Sequence, residues 1–506
     1  MDERKRSKAL AYSTIDGALS AVMGSLAGGM FLMGYAIKIL KANPGQIGIL
    51  AALPMFANLV QIFGSIIIEK TGKKKSLCFL SVFLSRILWM LIISLPFAIF
   101  APLSDIRIWV LIAVIGLSSV FGSIGGVSWL AWMSDLVPEN IRGSYFGKRN
   151  MIASACGMVV VLLGGKFITM WEKSRGADDP FGFIILFVVG LVFGLLAVFF
   201  LSRIPEVEKE DKAVPEFNFN VFLKPLKDKN FLTLTLFVSA WLFGVQLAAP
   251  FYGVYMIDIL KVDFSAITIF GTFATFATLI MMKIWGPIAD KLGNKPIIIV
   301  AGLVMVTVPF IWILAVPGVY YIPVMLAHIL TGAFMAGAGL SQFNILIKLS
   351  PQEGRSVYLA LFAAITGIFG AVSPILGGAL SNVMKDISFT AAGYTVSNLH
   401  IIFLISALVQ GLTIFFILKV KEEGAATPVA VIMQLGNDLN PQTGIAGASD
   451  FIMVNVEKTD NILKKVDKYT DDLADKSEDA IERAINKGES IIKKPLDKIK
   501  EFFKEN

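Results

Sequence analysis

The chain has 506 residues and a formal net charge of +7; 56% of the residues are apolar, 16% are charged, and the mean hydropathy is +0.72. Soluble domains carry roughly 25% charged residues, so this composition excludes an ordinary soluble protein and indicates an integral membrane protein. The two cysteines, Cys78 and Cys156, both lie in apolar runs, which excludes a disulfide framework.

Twelve apolar segments are long enough to cross a bilayer, since about 20 helical residues span roughly 30 Å of hydrocarbon. They run over approximately 14–40, 45–68, 76–100, 107–134, 147–171, 181–203, 231–257, 265–288, 296–316, 319–347, 356–384 and 398–420. Prolines interrupt several of them, which membrane helices tolerate when neighbouring helices satisfy the freed backbone groups. The sequence therefore predicts an all-α integral membrane protein.

Basic residues are concentrated in alternate connections. They cluster in the N-terminal segment and in the loops after the second, fourth, sixth, eighth and tenth spans, whereas the opposite loops hold only scattered lysines and arginines. By the positive-inside rule, we expect these loops and both termini to be cytoplasmic in a multi-pass protein of the plasma membrane. The basic segment Met1–Lys8 has no small-residue cleavage site after it, so we expect it to be retained.

One loop motif occurs twice, at 65–74 (SIIIEKTGKK) and at 286–295 (GPIADKLGNK). Both copies have a small residue, an acid at the fifth place, a base at the sixth, a glycine at the eighth and a base at the tenth. The first copy has Ser65, Glu69, Lys70, Gly72, Lys73 and Lys74, and the second has Gly286, Asp290, Lys291, Gly293 and Lys295. The acids lie 221 positions apart, each at the exit of an apolar segment, which indicates a duplicated membrane half.

This motif resembles the loop signature of the major facilitator superfamily, a family of secondary transporters. The second copy matches well, whereas the first departs from the signature at Ser65 and Glu69. The resemblance implies the twelve-helix bacterial type, with two pseudo-symmetric six-helix halves, and cytoplasmic latches at Glu69 and Asp290 between those halves. A plain basic loop that only fixes topology is the alternative, which two well-spaced copies disfavour.

A second loop pattern follows the fourth span, with Asp135, Pro138 and Arg142. It is similar to the acid, proline and Arg-Gly loop of sugar-type facilitators, with aspartate in the place of glutamate. Pro351 and Arg355 repeat it after the tenth span, at an offset of 213 positions.

We expect the two loop arginines to pair with loop acids such as Asp290 and Glu69. Such a pair contributes little when exposed, but one enclosed in a closed gate would bias the two states of a transporter. The sequence leaves open which arginine meets which acid.

Polar and aromatic side chains recur at helical spacing within the spans. These candidate cavity residues are Asn58 and Gln61 in the second span, Trp129 and Trp132 in the fourth, Trp241, Tyr252 and Tyr255 in the seventh, and His328 and Gln342 in the tenth. The family resemblance implies that the first, fourth, seventh and tenth helices line a central cavity, where aromatic rings could stack on a substrate. Ordinary packing by small residues with interfacial aromatics explains the same stripes equally well.

Charged or titratable groups within the spans are functional candidates, because they are expensive in a bilayer. Arg86 is expected to pair or snorkel, Lys283 lies near the cytoplasmic mouth, and His328 is either a cavity ligand or a packing histidine. The carboxylates sit at helix ends. The candidates for proton coupling are therefore Asp16, in the first turn of the first helix, and His328.

The chain lacks the glycine-rich loop that binds phosphate and the residue clusters typical of metal or nucleophile sites. We therefore expect neither an enzyme nor an ATP-driven pump, and no cofactor or metal. The expected partners are a small-molecule solute and the lipid bilayer, without nucleic acid.

The predicted organisation is a first six-helix half (1–203), a charged central loop (204–230), a second six-helix half (231–420) and a cytoplasmic tail (421–506) with a linker and then an amphipathic helix. The tail is either partly disordered or a helix that docks on a partner, on itself or on the membrane surface. The predicted function is secondary active or facilitative transport by alternating access. The alternative is a transporter-like sensor or receptor with the tail as its output.

Overall fold

The structure, a computed structural model, describes residues 3–97, 106–138, 141–206, 224–351, 355–391 and 394–439. Within them, 12 helices are long and apolar enough to cross a membrane. They are α1 (Lys5–Ile39), α2 (Pro44–Ile68), α3 (Lys74–Ser94), α4 (Arg107–Leu136), α5 (Arg142–Arg175), α6 (Phe181–Ser202), α7 (Lys229–Ile259), α8 (Phe264–Leu292), α9 (Lys295–Ile313), α10 (Tyr321–Leu349), α11 (Val357–Val383) and α12 (Asn398–Lys419). The predicted all-α membrane fold is confirmed.

Four of these spans consist of shorter pieces. These are Glu3–Leu26, Gly29–Gly34 and the π-helical Tyr35–Ile39 in α1; Pro44–Leu59 and Gln61–Thr71 in α2; Lys74–Ile87 and Trp89–Ser94 in α3; and Lys229–Val254 and the π-helical Tyr255–Ile259 in α7. Three helices extend beyond these spans, since those of α1 and α11 begin earlier, at Glu3 and Arg355, and that of α2 ends later, at Thr71. Outside the spans lie a 3₁₀ helix (Lys224–Lys227), the antiparallel strands β1 (Ser388–Ala391) and β2 (Tyr394–Ser397), and a last helix, α13 (Pro428–Asp438).

The chain divides into two compact units, Met1–Val431 and Ile432–Asn506. The first contains all twelve spans. The amphipathic helix predicted from residue 461 onwards lies outside the described residues, as does most of the central loop. The domain limits inferred from the sequence stay predictions.

Successive spans run in opposite directions, so the bundle has two ends. We call the end with the two loop motifs the motif end, and the opposite end, which holds the connections after α1, α5 and α7, the far end. Gly72 and Gly293 end the helices of the two motifs with φ of +65° and +87°. Glycine suits both positions because other residues rarely adopt this conformation.

The far end contains a repeat of its own. Residues 35–43 (YAIKILKAN) and 255–263 (YMIDILKVD) both begin with a π-helical turn, and two residues after it comes a lysine with positive φ, 53° at Lys41 and 52° at Lys261. In each copy the last residue, Asn43 or Asp263, then caps the next helix by accepting a backbone hydrogen bond three residues on. The repeat places Lys38 of the first half and Asp258 of the second at equivalent positions.

The halves α1–α6 and α7–α12 pack closely toward the far end. A Cβ added to Gly48 of α2 would lie 2.2 Å from the carbonyl oxygen of Pro374 in α11, and one on Gly378 would lie 2.5 Å from that of Pro44. Only glycine permits backbones to approach this closely. A second contact between the halves joins α5 to α8, where the backbone N–H of Ser265 donates to the Thr169 hydroxyl over 2.9 Å.

Candidate functional site

A cavity of about 550 Å³ lies between the halves. One wall comes from α1 and α5 and includes Ser25 and Ser154; the other comes from α8 and α10 and includes Thr272, Thr275 and His328. These positions precede Thr169 along α5 and follow Ser265 along α8. The cavity therefore lies on the motif-end side of the contact that joins α5 to α8.

A second cavity of about 240 Å³ adjoins the first and reaches into the second half, and His328 and Met30 line both. Its wall is largely aromatic and aliphatic. The rings of Tyr252 and Trp312 stack with a centroid distance of 4.6 Å and an interplanar angle of 10°. Trp312 also lies 5.6 Å, centroid to centroid, from His328. The two cavities thus meet at His328.

The hydrogen bonding of His328 fixes which of its ring nitrogens carries the proton. Its Nδ1 lies 2.9 Å from the carbonyl oxygen of Val324, and a carbonyl only accepts, so Nδ1 carries the proton. In the neutral ring, Nε2 is then a hydrogen-bond acceptor. The ring of Phe270 packs 5.8 Å from the same imidazole, centroid to centroid.

The threonines of α8 present acceptors to the first cavity in the same way. Thr268, Thr272 and Thr275 donate their hydroxyl protons to carbonyl oxygens of their own helix, over 2.8 to 3.0 Å. Each hydroxyl has one proton and two lone pairs, so the oxygens keep acceptor capacity toward the cavity. This wall is therefore rich in acceptors.

A separate group of charges lies inside the first half, around a cavity of about 200 Å³. The Arg149 Nη2 lies 3.4 Å from the Asp16 carboxylate, and its Nε donates to the carbonyl oxygen of Ser13 over 3.0 Å. The guanidinium also lies 4.1 Å above the ring of Trp129. Both members of the ion pair are nearly buried, with exposed side-chain fractions of 13% and 7%.

Arg86 of α3 completes this group. Its Nη2 donates to the Ser20 hydroxyl over 3.3 Å, and its charge acts on the Asp16 carboxylate. The contacts of Arg86 with Ser20 and Asp16 thus lie within the first half. Trp129, predicted as a cavity aromatic, stacks on the arginine instead.

A fourth cavity, of about 490 Å³, lies at the far end and is lined by charged residues of both halves. Lys38 pairs with Glu172 over 2.7 Å, and its ammonium lies 4.9 Å above the ring of Phe264 in the second half. Lys38 and Lys41 also act electrostatically on Asp258. Electrostatic attraction between these lysines and Asp258 therefore links the first copy of the far-end repeat to the second.

At the motif end, the loop acids occupy different surroundings. Asp290 and Lys291 are exposed, as are Lys70, Gly72 and Lys73. Asp135 pairs with Lys74 of α3, and Arg142 donates to the carbonyl oxygen of Ser134 over 2.9 Å. The Glu69 side chain lies outside what the structure describes, and the expected pairs between loop arginines and loop acids stay predictions.

The family model described as Major Facilitator Superfamily matches residues 14–254 and 242–434. The chain belongs to this superfamily. The predicted resemblance is confirmed, and with it the predicted fold of two six-helix halves. By sequence, the chain has no significant match among curated proteins.

Solved structures of superfamily transporters share the fold. A mutant of the nucleoside transporter NupG superposes with a TM-score of 0.63 and 14% identity, covering 82% of this chain and 100% of that one. A bacterial homologue of the iron transporter ferroportin, in the inward-facing state, gives 0.60 and 13%, covering 83% and 99%. An inward-facing, occupied bacterial homologue of the human lysosomal transporter Spinster gives 0.60 and 15%, covering 83% and 97%. At these identities the likeness shows the fold alone.

Within this superfamily fold, Tyr252 and His328 line the central cavities, Trp129 lines the cavity within the first half, and the other aromatic candidates pack elsewhere. Trp132 donates its indole N–H to the carbonyl oxygen of Pro205 over 3.0 Å, and Trp241 stacks on Phe237 in the packed core. The Tyr255 hydroxyl donates to the carbonyl oxygen of Ala315 over 2.6 Å.

The polar candidates are also separated. The Asn58 amide oxygen accepts from Gln61 and Ser123 over 3.1 Å each, outside both central cavities. Gln342 is half-buried and Lys283 is exposed. Neither of them lines a described cavity wall.

Glu422 was not among the predicted site residues, yet it organises the motif end of the second half. Its carboxylate accepts from the backbone N–H of Asn294 (2.9 Å) and Lys295 (2.6 Å), from the Asn294 amide (2.9 Å) and from the Lys348 ammonium (2.9 Å). It therefore caps the N-terminus of α9 and ties it to the end of α10.

Glu206 holds the equivalent place in the first half, where it accepts from the backbone N–H of Lys75 in the first turn of α3 over 2.9 Å. The signal was present in the sequence. Each glutamate follows the sixth span of its half within four residues, 216 positions apart.

Proposed function

We propose that this membrane transporter moves a small solute by alternating access, with the solute bound between the halves. The observation that carries the proposal is the cavity of about 550 Å³ whose walls come from both halves. Sites at the interface of structural repeats, near mid-span, are typical of transporters in which the halves rock about the solute. The transporter neighbours give no support to the alternative of a sensor.

The proposed cycle alternates between two packings of the same halves. In the present state, the far end is held by the Gly48–Pro374 and Thr169–Ser265 contacts, and Asp290 at the motif end is exposed. In the other state, the far-end contacts separate and the motif end closes, so that Asp290 meets the first half. Two of the superfamily neighbours have inward-facing structures, which fits a cycle of this kind.

We infer that the motif end faces the cytoplasm of a cell whose plasma membrane holds the protein. The basic loops at that end support this orientation through the positive-inside rule. An impermeant thiol reagent added to intact cells should then label a single cysteine at Val319, in the exposed loop before α10, but not one at Lys291. The reverse pattern would contradict the orientation.

If transport is coupled to protons, we propose Asp16 as the coupling group. Its carboxylate faces Arg149 of α5, Arg86 of α3 and the Cys78 thiol, and α1 and α5 both line the central cavity. A shift of α1 against α5 would therefore change the charge environment of Asp16. His328 is the other candidate, and the acceptor nitrogen that it presents to the cavity suits solute binding better.

The cycle can be tested without knowing the solute. Spin labels on Lys70 and Lys291, equivalent and exposed positions in the two motifs, report the distance between the halves at the motif end. Substituting Thr169→Cys and Ser265→Cys in a background without Cys78 and Cys156 allows the far end to be cross-linked where it is already in contact.

We expect two distance populations in lipid. Cross-linking should leave only the longer distance, because a fixed far end keeps the motif end open, and reduction should restore both. A single distance that the cross-link does not change, in every lipid tested, would contradict alternating access.

A further inference from the structure

The walls of the two central cavities share one electrostatic property. Among the residues that the structure describes, those lining either cavity are uncharged, apart from the titratable His328. The ion pair of Asp16 and Arg149 lines a different cavity, within the first half. An ion taken into the central cavities would therefore lose its hydration without gaining a counter-charge, which is strongly unfavourable within a membrane.

The two cavities differ in the polarity of the side chains that line them. The smaller one is lined by the stacked pair Tyr252 and Trp312, together with Met305 and Val308, and its wall is mainly aromatic and aliphatic, with Gln410 and Thr331 as its polar members besides His328. Such surfaces bind aromatic or other flat apolar groups. The larger one carries Thr268, Thr272 and Thr275, whose hydroxyl protons are already donated to their own helix.

His328 lies at the boundary between the apolar wall of the smaller cavity and the threonine wall of the larger one, since it lines both cavities. Its Nδ1 proton is used by Val324, so the neutral ring offers Nε2 as one more acceptor. A solute that binds the α8 threonines and His328 must supply the donors, while Ser25 and Ser154 on the opposite wall can both donate and accept. The volumes of about 240 and 550 Å³ provide room for one small molecule with two dissimilar parts.

We propose, on the basis of the transport function above, that the solute is an uncharged molecule in which a flat apolar group is joined to a group rich in hydrogen-bond donors. The flat group stacks beside Tyr252 and Trp312. The donor-rich group faces the threonines of α8, and a donor at the junction meets Nε2 of His328.

Three matched probes test separately whether binding requires the flat group and whether it requires the absence of charge. Phenyl β-D-glucoside has both parts and no charge, phenyl β-D-glucuronide replaces one hydroxymethyl group by a carboxylate, and methyl β-D-glucoside lacks the flat group. The corresponding galactosides remove dependence on one sugar configuration. Binding is measured with the full-length protein by titrating each probe against its thermal unfolding temperature.

We expect at least one phenyl glycoside to stabilise the protein, and its glucuronide or methyl counterpart to need at least tenfold higher concentrations. Thr272→Val should weaken the phenyl glycoside several-fold. Thr307→Val makes the same change at an exposed threonine of α9 that donates to Val304 and lines neither cavity, and it should leave binding unchanged.

Stabilisation by the charged probe at equal or lower concentration would overturn the proposal, as would the absence of stabilisation by every phenyl glycoside. Either result is distinguishable from a failure of the transport function. The spin-label distances use no solute, so two populations together with failed probes reject the solute class alone. A single, unchanging distance rejects the transport cycle, whatever molecule binds.

Discussion

Replacing Glu422 by glutamine tests how the segment after α12 stabilises the second half. The substitution keeps the shape of the side chain but removes its charge and one of its two acceptor oxygens. Four donors lose all or part of their partner: the backbone N–H groups of Asn294 and Lys295, the Asn294 amide and the Lys348 ammonium. The Glu422 side chain is only 5% exposed, so water replaces the lost oxygen poorly.

The cost follows from these contacts. Hydrogen bonds to a charged group contribute about 1.5–3 kcal/mol each, and a carboxylate at a helix N-terminus adds about 0.3–1 kcal/mol. The Lys348 side chain is 57% exposed, so its pair adds at most about 1 kcal/mol. Because glutamine retains one acceptor oxygen, we expect a loss of about 2 kcal/mol. For a cooperative unit of about 150–250 residues, this lowers the unfolding temperature by about 4–8 °C.

Tryptophan fluorescence during heating in detergent measures this shift, and Glu423→Gln is the matched control. Glu423 is exposed and carries the same charge one position later. An unfolding temperature of Glu422→Gln within about 1 °C of that control would refute the assigned role of the carboxylate.

The same cap makes stability depend on pH. Burial raises the pKa of Glu422, but the hydrogen bonds from Asn294, Lys295 and Lys348 outweigh it and leave the pKa below its ordinary value. A lowered folded-state pKa stabilises the protein above the unfolded-state value, and this contribution is lost as the pH falls below about 4. The difference between the wild type and Glu422→Gln should therefore shrink at acidic pH.

Three further predictions concern the gates and the domain limit. Gly378→Ala should oppose closure of the far end and lower the yield of the 169–265 cross-link several-fold, whereas Gly302→Ala, where an added Cβ meets only an ordinary contact at 3.8 Å, should not. Asp290→Asn should slow transport more than it weakens solute binding; lowered affinity with unchanged transport would count against a latch. Truncation after Val431 should leave a protein as stable as the full chain, whereas truncation after Lys419 removes the capping glutamate and should destabilise it; equal stability of both would contradict the cap.

The twelve spans could be predicted because hydrophobic length alone specifies a membrane helix. Their limits were less certain where a helix extends beyond the bilayer. The first span was predicted to begin at 14, yet the helix begins at Glu3, because its basic first turns continue the helix without being apolar. The fifth was predicted as 147–171, and it runs over Arg142–Arg175 for the same reason.

The candidate site could be predicted only in part, because a stripe on one helix does not say which neighbour it meets. His328 and Tyr252 line the cavity, whereas Trp129, equally well spaced, faces Arg149. Trp312 gave no periodic signal, since its role comes from stacking on Tyr252 of another span. The role of Glu422 could not be predicted from its own stretch of sequence either, because the groups that donate hydrogen bonds to it are 74 to 128 positions away in the chain.

The most direct test of the account is flux of a stabilising solute. The protein, reconstituted in vesicles preloaded with that solute, should exchange it for labelled solute outside. Exchange should stop when the cysteines at 169 and 265 are cross-linked and resume on reduction. Binding of the solute without any exchange, in vesicles where the spin labels report both states, would contradict transport by alternating access.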